Sequence, residues 1–129
     1  MLKIALYAAR YDGDQNKLAP LALGYIAAYL LEKNVVTREN LLIVDSLEEL
    51  HSFSPDIVGI SSASQVIKDA RNFAGFCKEH FDSINVLGGY HITLWPENLP
   101  TEFDYGVVGE GEQTFAELVS EAAEGPIAN

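Results

Sequence analysis

The residues of this chain best suited to ligand chemistry follow a short apolar segment that ends at Leu87. Gly88 and Gly89 come next, and Tyr90 and His91 come directly after them. Glycine has no Cβ and reaches backbone conformations that are closed to other residues. Two glycines at the end of a strand indicate that a helix, a tight turn or a ligand comes very close to the backbone there.

Three further segments place small and polar residues after a predicted strand. They are Tyr11, Asp12 and Gly13 after the first strand, Ser61, Ser62 and Ser64 after the third, and Gly109, Glu110 and Gly111 after the fifth. In an open α/β sheet, ligands bind at the carboxyl edge that such residues share. Each group also has a structural interpretation: a solvated loop, a cap of the third helix by Ser64, or a favourable position of Glu110 near a helix N-terminus. His91 alone also fits a structural histidine.

Several common ligand motifs are absent from this edge. The first loop contains no G-x-G-x-x-G, which argues against a dinucleotide, and the chain contains no GxxxxGK[ST] phosphate loop. The first loop is not rich in serine or threonine, which argues against FMN. No set of Cys, His or carboxylate residues has the spacing of a metal site, and no nucleophile–base pair indicates a free-standing enzyme.

Strand-like and helix-like segments alternate along the chain. The predicted strands are residues 4–9, 41–45, 57–61, 85–87 and 105–108, and the predicted helices are residues 18–33, 47–53, 65–81 and 112–123, with a turn or two at 96–99. The strands are short and apolar on both faces, which is typical of a parallel sheet covered on both sides. The alternation predicts an α/β fold: a doubly wound, flavodoxin-like (Rossmann-like) five-stranded parallel sheet in the order 2-1-3-4-5.

Composition and charge narrow the class of protein. The chain has 129 residues, the size of one domain, and we expect residues 1–129 to be a single unit. Its formal net charge of −11 disfavours nucleic acid and anionic membranes as partners. No signal peptide or membrane span is evident, so a cytoplasmic location is expected. The single cysteine, Cys77, excludes an internal disulfide and is interpreted as a small buried hydrophobe.

Four sequence motifs, taken in order, resemble one family. They are residues 20–30 (PLALGYIAAYL), 56–62 (DIVGISS), 88–93 (GGYHIT) and 107–112 (VVGEGE). Together they resemble the cobalamin-binding domain that precedes the catalytic domain of radical SAM enzymes, from about Lys3 to Ala123. The resemblance implies that cobalamin lies over the carboxyl edge of the sheet and that its nucleotide tail enters a slot between the sheet and the helices.

The resemblance also assigns residues to that slot. Gly88 and Gly89 match the glycine pair against which the tail lies, and Ser61 matches the serine that closes the slot. We expect the cofactor-binding residues to be Tyr11, Asp12, Gly13, Ser61, Ser62, Ser64, Gly88, Gly89, Tyr90, His91, Gly109, Glu110 and Gly111. A valine in place of Gly89 is expected to abolish cobalamin binding and to leave the fold largely intact.

Two departures from related patterns shape the expected function. The first loop lacks the Asp-x-His-x-x-Gly motif of methionine-synthase-type domains, which implies base-off cobalamin without a loop histidine on the cobalt. One cysteine cannot supply a CxxxCxxC motif, so the iron–sulfur cluster and S-adenosylmethionine are expected in a downstream radical SAM domain. The chain is then a piece of a longer enzyme, with methyl transfer as the leading reaction, and is not catalytic alone.

A different class of function remains open at this point. The chain also fits a degenerate flavodoxin-like domain that has lost cobalamin and acts as an interaction or scaffold module. An open cleft lined by Ser61, Gly88 and Gly89 favours cobalamin binding. A cleft filled by side chains such as that of Tyr90 favours the scaffold.

Overall fold

A central parallel sheet organises the fold. The structure is a computed structural model, and it describes residues 2–10, 21–109 and 111–124. In this part of the chain the strands are β1 (Ile4–Ala8), β2 (Leu41–Ile43), β3 (Ile57–Ser61), β4 (Ile84–Gly88) and β5 (Tyr105–Gly106). Their order is β2-β1-β3-β4-β5, and each neighbouring pair is parallel. The predicted flavodoxin-like fold and strand order are confirmed.

Helices cover both faces of the sheet. They are α1 (Leu21–Glu32), α2 (Glu48–Phe53), α3 (Ile67–Phe81), α4 (Tyr90–Leu94) and α5 (Glu112–Glu124). The sequence pattern does not predict α4, which is little more than one turn and begins directly after Gly89. None of the described helices has the length and apolar character needed to cross a membrane.

The start of α3 differs from the sequence-based expectation. A 3₁₀ turn over Ser64–Val66 precedes the helix, and among the described residues its N-cap, Val66, makes no capping side-chain hydrogen bond. Ser64 is therefore not the cap of α3. Its hydroxyl lies 3.0 Å from Nδ1 of His91, and this contact joins the segment before α3 to α4.

The buried face of α1 also differs from the predicted stripe. The spacing of Leu18, Ala22, Ile26, Tyr29 and Leu30 predicts that they form the buried stripe of this helix. Of the last three, only Leu30 is fully buried, and Leu23 and Ala27 are buried where Ile26 and Tyr29 are expected. Because α1 is apolar on nearly all sides, its periodicity does not identify the side that faces the sheet.

Alternate residues of each strand contribute to two separate cores, because successive side chains of a strand point to opposite faces. The core on the α3 side includes Phe73 and Cys77. The core on the other side includes Leu23 of α1 and Phe115 of α5. Burial raises the pKa of the Cys77 thiol to about 12, and the side chain is fully buried, which agrees with its interpretation as a small hydrophobe.

Candidate functional site

A cavity of about 460 Å³ opens at the carboxyl edge of the sheet, on the face covered by α1 and α5. Its size falls in the range of roughly 300–1,000 Å³ that small-molecule sites occupy. Its described lining comes from β1, β3 and β4, from α1 and α5, and from the segments that follow β4 and β5. This is the edge at which ligands bind in open α/β folds.

The cavity exists because the side chains on this face become smaller toward the carboxyl edge. Three rows of residues lie side by side across β1, β3 and β4. In order along the strands, the rows are Ile4, Ile57 and Ile84, then Leu6, Gly59 and Val86, then Ala8, Ser61 and Gly88. The first row fills the space under the helices, whereas the last row carries no side chain larger than a hydroxymethyl group. The sheet and the helices are therefore separated at this edge.

Gly59 and Phe115 meet at the floor of the cavity. A Cβ on Gly59 would lie 3.0 Å from Cδ2 of Leu6 and 3.1 Å from Cζ of Phe115, so the phenyl ring from α5 packs directly on the strand. Leu6, Val86 and Phe115 are all buried. The floor is consequently a carbon surface.

The two adjacent glycines have different roles. A Cβ on Gly88 would meet no atom of the described residues within 4 Å, so within this part of the chain Gly88 borders free space. Gly89 has φ of +96°, and its Cβ would lie 2.8 Å from both the backbone N and the backbone O of Ser62. Gly89 is thus required by the turn from β4 into α4, and the expectation that Gly89→Val leaves the fold intact is wrong. Gly88 is the position at which a side chain would enter the cavity without disturbing the chain.

Ser61 and Ser62 lie in different surroundings although they are adjacent. Ser61 lines the cavity. The buried Ser62 donates its hydroxyl to the carbonyl oxygen of Ala63 at 2.8 Å, and its backbone N–H donates to the carbonyl oxygen of Gly88 at 3.0 Å. Its own carbonyl oxygen accepts from the backbone N–H of His91 at 3.0 Å. Ser62 therefore stabilises the turns at the strand ends and does not line the cavity.

Ser64 and His91 also lie outside the described lining of the cavity. Their side chains contact each other, as described above, and His91 belongs to α4. The structure thus separates these two predicted residues from Ser61 and Gly88. They connect the elements that flank the cavity rather than forming its wall.

Residues after β4 and β5 form the mouth of the cavity. The backbone N–H of Gly109 donates to Oγ1 of Thr93 at 2.9 Å, which holds α4 against the segment after β5. Gly109 has φ of +79°, a conformation that favours glycine. Gly111 and Glu112 complete this part of the lining, so both predicted glycines that the structure describes here contribute to the cavity.

Five predicted site residues have little or no structural description. Tyr11, Asp12, Gly13 and Glu110 lie outside the described residues, and only the backbone of Tyr90 is described, at the start of α4. Their predicted contacts with a cofactor stay predictions.

A hydrogen-bonded network fixes the end of β1, where the first loop departs. Oδ2 of Asp69 accepts from the Tyr7 hydroxyl at 2.7 Å and from the backbone N–H of Arg10 at 2.9 Å. Nη1 of Arg10 lies 3.0 Å from Oδ1 of Asp45. Burial and the hydrogen bond to Asp69 raise the pKa of the Tyr7 phenol above its ordinary value, so the phenol remains a donor.

The electrostatic character of the cavity limits the ligands that fit it. Its described lining contains one charged side chain, that of Glu112, and neither lysine nor arginine. Such a lining does not attract a highly charged anion. In the described ranges, no group of three or more His, Cys, Asp or Glu residues could hold a metal ion. The cavity suits the apolar part of a ligand with little net charge.

Sequence reasoning missed several lining residues, among them Gly59, Tyr25, Thr93 and Phe115. For Gly59 a signal exists, because an isolated glycine inside a strand often marks a close approach of another group. For Tyr25 there is none, since α1 is apolar on most sides. For Phe115, its helical spacing with Leu118, Val119 and Ala122 predicts burial on one face of the last helix but not a cavity.

Three comparisons with known proteins show the family and the fold of this chain. A family model of the B12 binding domain matches residues 14–119. An uncharacterized methyltransferase of Pyrococcus horikoshii is 36% identical over 115 residues, which cover 82% of this chain and 25% of the relative. The chain therefore spans about a quarter of the length of that relative.

The third comparison concerns the fold alone. The crystal structure of the N-terminal domain of a hypothetical protein of Thermotoga maritima matches with a TM-score of 0.59 and 21% sequence identity, over 85% of this chain and 89% of that chain. Since the B12 family model covers most of the sequence, from the first loop to the last helix, this chain belongs to the B12-binding domain family.

Proposed function

We propose that this chain is the cobalamin-binding module of a radical SAM methyltransferase, and that it holds cobalamin base-off without a histidine of the first loop on the cobalt. The observation that carries the proposal is the open cavity at the carboxyl edge of the sheet, which Ser61, Gly88 and Gly89 help to line. Membership of the B12-binding domain family supports the same cofactor.

The described residues fit the nucleotide tail of cobalamin. The apolar floor formed by Leu6, Val86 and Phe115 suits a heteroaromatic base. The free space beside Gly88 lets the tail lie against the backbone of β4. The positive charge of the corrin and the negative charge of the tail phosphate roughly cancel, so a lining without lysine or arginine is compatible with this ligand.

The elements around the cavity then have separate tasks. The hydroxyls of Ser61 and Thr93 provide hydrogen-bonding groups near the mouth, where the polar sugar and phosphate belong. Asp69 holds Tyr7 and the backbone of Arg10, and thereby fixes the start of the first loop. When bound, cobalamin supplies a cobalt centre that can carry a methyl group.

The radical SAM context rests on the four sequence motifs, which resemble the domain that precedes the catalytic domain of radical SAM enzymes. The length of the relative and the cysteine count of this chain are compatible with a separate catalytic domain. The matched part is a quarter of the Pyrococcus horikoshii methyltransferase. The single cysteine of this chain, Cys77, is buried and cannot form a three-cysteine cluster site. In the proposal, the iron–sulfur cluster and S-adenosylmethionine belong to a downstream domain, and the chain does not turn over substrate alone.

A visible-absorption titration with hydroxocobalamin, followed by desalting, tests the proposal. We expect the pigment to remain on the protein with a base-off spectrum. After reduction to the Co(II) form, the electron paramagnetic resonance spectrum should lack splitting from an axial nitrogen. Complete loss of the pigment on desalting would contradict the proposal and favour the scaffold module.

The matched control ligand is cobinamide, which has the same corrin but no nucleotide tail. If the tail lies in the cavity, cobinamide should bind at least about tenfold more weakly than cobalamin. Equal affinities would mean that the cavity contributes nothing to binding.

A further inference from the structure

The deep end of the cavity offers carbon contacts and no described hydrogen-bonding side chain. Leu6, Leu23, Val86 and Phe115 line this region, and each is at most 4% exposed. Leu6 and Val86 belong to strands whose backbones pair with their neighbours on both sides. A group that reaches this depth therefore finds no polar partner among the described side chains.

The polar groups of the described lining lie nearer the mouth. Ser61 is at the last position of β3, and Thr93 belongs to α4 beyond β4. Tyr25 is 58% exposed, and Glu112 is the first residue of α5. These four residues give the cavity a polar rim, and the residues of its deep end give it an apolar interior.

The apolar interior limits which base at the end of the cofactor tail can be accommodated there. Complete cobamides carry different bases: a dimethylbenzimidazole has two methyl groups and one free ring nitrogen when it is displaced from cobalt. Adenine has two further ring nitrogens and an exocyclic amine. A polar group buried without a hydrogen-bond partner loses its hydration without compensation, so the adenine base is disfavoured in an apolar interior.

We infer that this cavity selects cobamides whose tail ends in a benzimidazole over those whose tail ends in a purine. The inference rests on the proposed function and names the class of cofactor that the site takes. The expected preference is about tenfold or more in dissociation constant. It arises from the floor residues of β1, β4 and α5 and not from the glycine at the cavity wall.

The test measures dissociation constants of this chain for three ligands: cobalamin, the adeninyl cobamide and cobinamide. Val86→Thr is the informative variant, because threonine has nearly the shape of valine and adds a hydroxyl to the floor. Val58→Thr is its control, since Val58 is also fully buried in a central strand but contributes to the opposite core. Circular dichroism and thermal unfolding establish that each variant is folded.

We expect the wild-type chain to prefer cobalamin over the adeninyl cobamide, and Val86→Thr to reduce that ratio by about threefold or more. Val58→Thr should keep the wild-type ratio. Equal affinities for both complete cobamides, each above that of cobinamide, would overturn the selection while leaving the proposed function intact. Failure to bind any of the three ligands would overturn the proposed function itself. The ratio of the wild-type dissociation constants for the adeninyl cobamide and cobalamin tests the inference even if Val86→Thr does not fold.

Discussion

The two faces of the sheet are built from alternate residues of the same strands, yet only one of them leaves space for a ligand. On the α3 side, the rings of Tyr7 and Phe73 stack with their centroids 3.9 Å apart. On the α1 and α5 side, the last row of side chains is reduced to Ala8, Ser61 and Gly88, and a cavity results. A single strand such as β3 thus supports both a filled core and an open slot.

Polar groups are also treated differently on the two faces. On the α3 side, which we call the closed side or closed face, both polar groups of the fully buried Asn85 side chain are hydrogen-bonded. Its Oδ1 accepts from the Ser83 hydroxyl, and its Nδ2 donates to the carbonyl oxygens of Ala74 and Glu102. On the α1 and α5 side, Ser61 and Thr93 line the cavity, and Oγ1 of Thr93 accepts from the backbone N–H of Gly109 at its mouth. Both faces carry a buried core, but only the α1 and α5 face leaves a cavity for a ligand.

The largest expected effect is on the closed face. Phe73→Ala removes the ring that stacks on Tyr7 and leaves a void in a close-packed core, which should reduce the free energy of unfolding by about 3–5 kcal/mol. Urea denaturation measures this change. Because Phe73 does not line the cavity, the folded fraction should keep its cobalamin affinity. A reduction below about 1 kcal/mol would mean that this face is not tightly filled.

A somewhat smaller loss of stability is expected from a substitution in the turn from β4 into α4. Gly89→Val forces a β-branched residue into positive φ and drives its Cβ against the backbone of Ser62, so the free energy of unfolding should fall by about 2–4 kcal/mol. Gly88→Val, one residue earlier, should change it by less than about 1 kcal/mol. Similar urea midpoints for the two variants would contradict the distinction between these glycines.

The effect that is smallest near neutral pH is a pH dependence of stability from Cys77 on the α3 side of the sheet. Its pKa is raised to about 12 in the folded chain, against about 8.5 when unfolded. Below the unfolded pKa both states are protonated and stability is unaffected. Above it only the unfolded state loses the proton, so stability should fall by about 1.4 kcal/mol per pH unit between roughly pH 9 and 12.

Urea denaturation at several alkaline pH values measures this contribution, with Cys77→Ala as the control that should lack it. Labelling by a thiol reagent should likewise occur only after unfolding. Rapid labelling of the folded chain at pH 8 would show that the thiol is accessible.

The regular parts of the fold follow from local sequence, and the irregular parts do not. The third strand is predicted with its observed limits, Ile57–Ser61, because it is a continuous apolar run bounded by polar residues. The fifth strand is predicted to extend to residue 108 but ends at Gly106. Helix α4 is not predicted, since one turn after two glycines has no periodicity to detect.

The predicted site residues likewise divide into those that line the cavity and those that do not. Ser61, Gly88, Gly89, Gly109 and Gly111 are predicted and line the cavity. Ser62, Ser64 and His91 are also predicted, but they lie outside the described lining of the cavity and contact the turns and α4. Their contacts with a cofactor stay predictions. Strand ends can be located from sequence, but which side of the edge a residue faces depends on how distant elements pack.

The cobalamin affinity of Gly88→Val, measured beside that of Gly75→Val, shows whether the cavity at the carboxyl edge is the cobalamin site. Both variants replace glycine by valine. Among the described residues, a Cβ on Gly75 would meet Cγ of Glu102 alone, at an ordinary 3.8 Å, and Gly75 belongs to α3 on the side of the sheet without the cavity.

We expect Gly88→Val to remain folded and to lose cobalamin binding by about 100-fold or more, because its side chain occupies the space of the tail. Gly75→Val should bind as the wild-type chain does. Retention of wild-type affinity by a folded Gly88→Val variant would contradict the account, because the cavity at the carboxyl edge would then not be the cobalamin site.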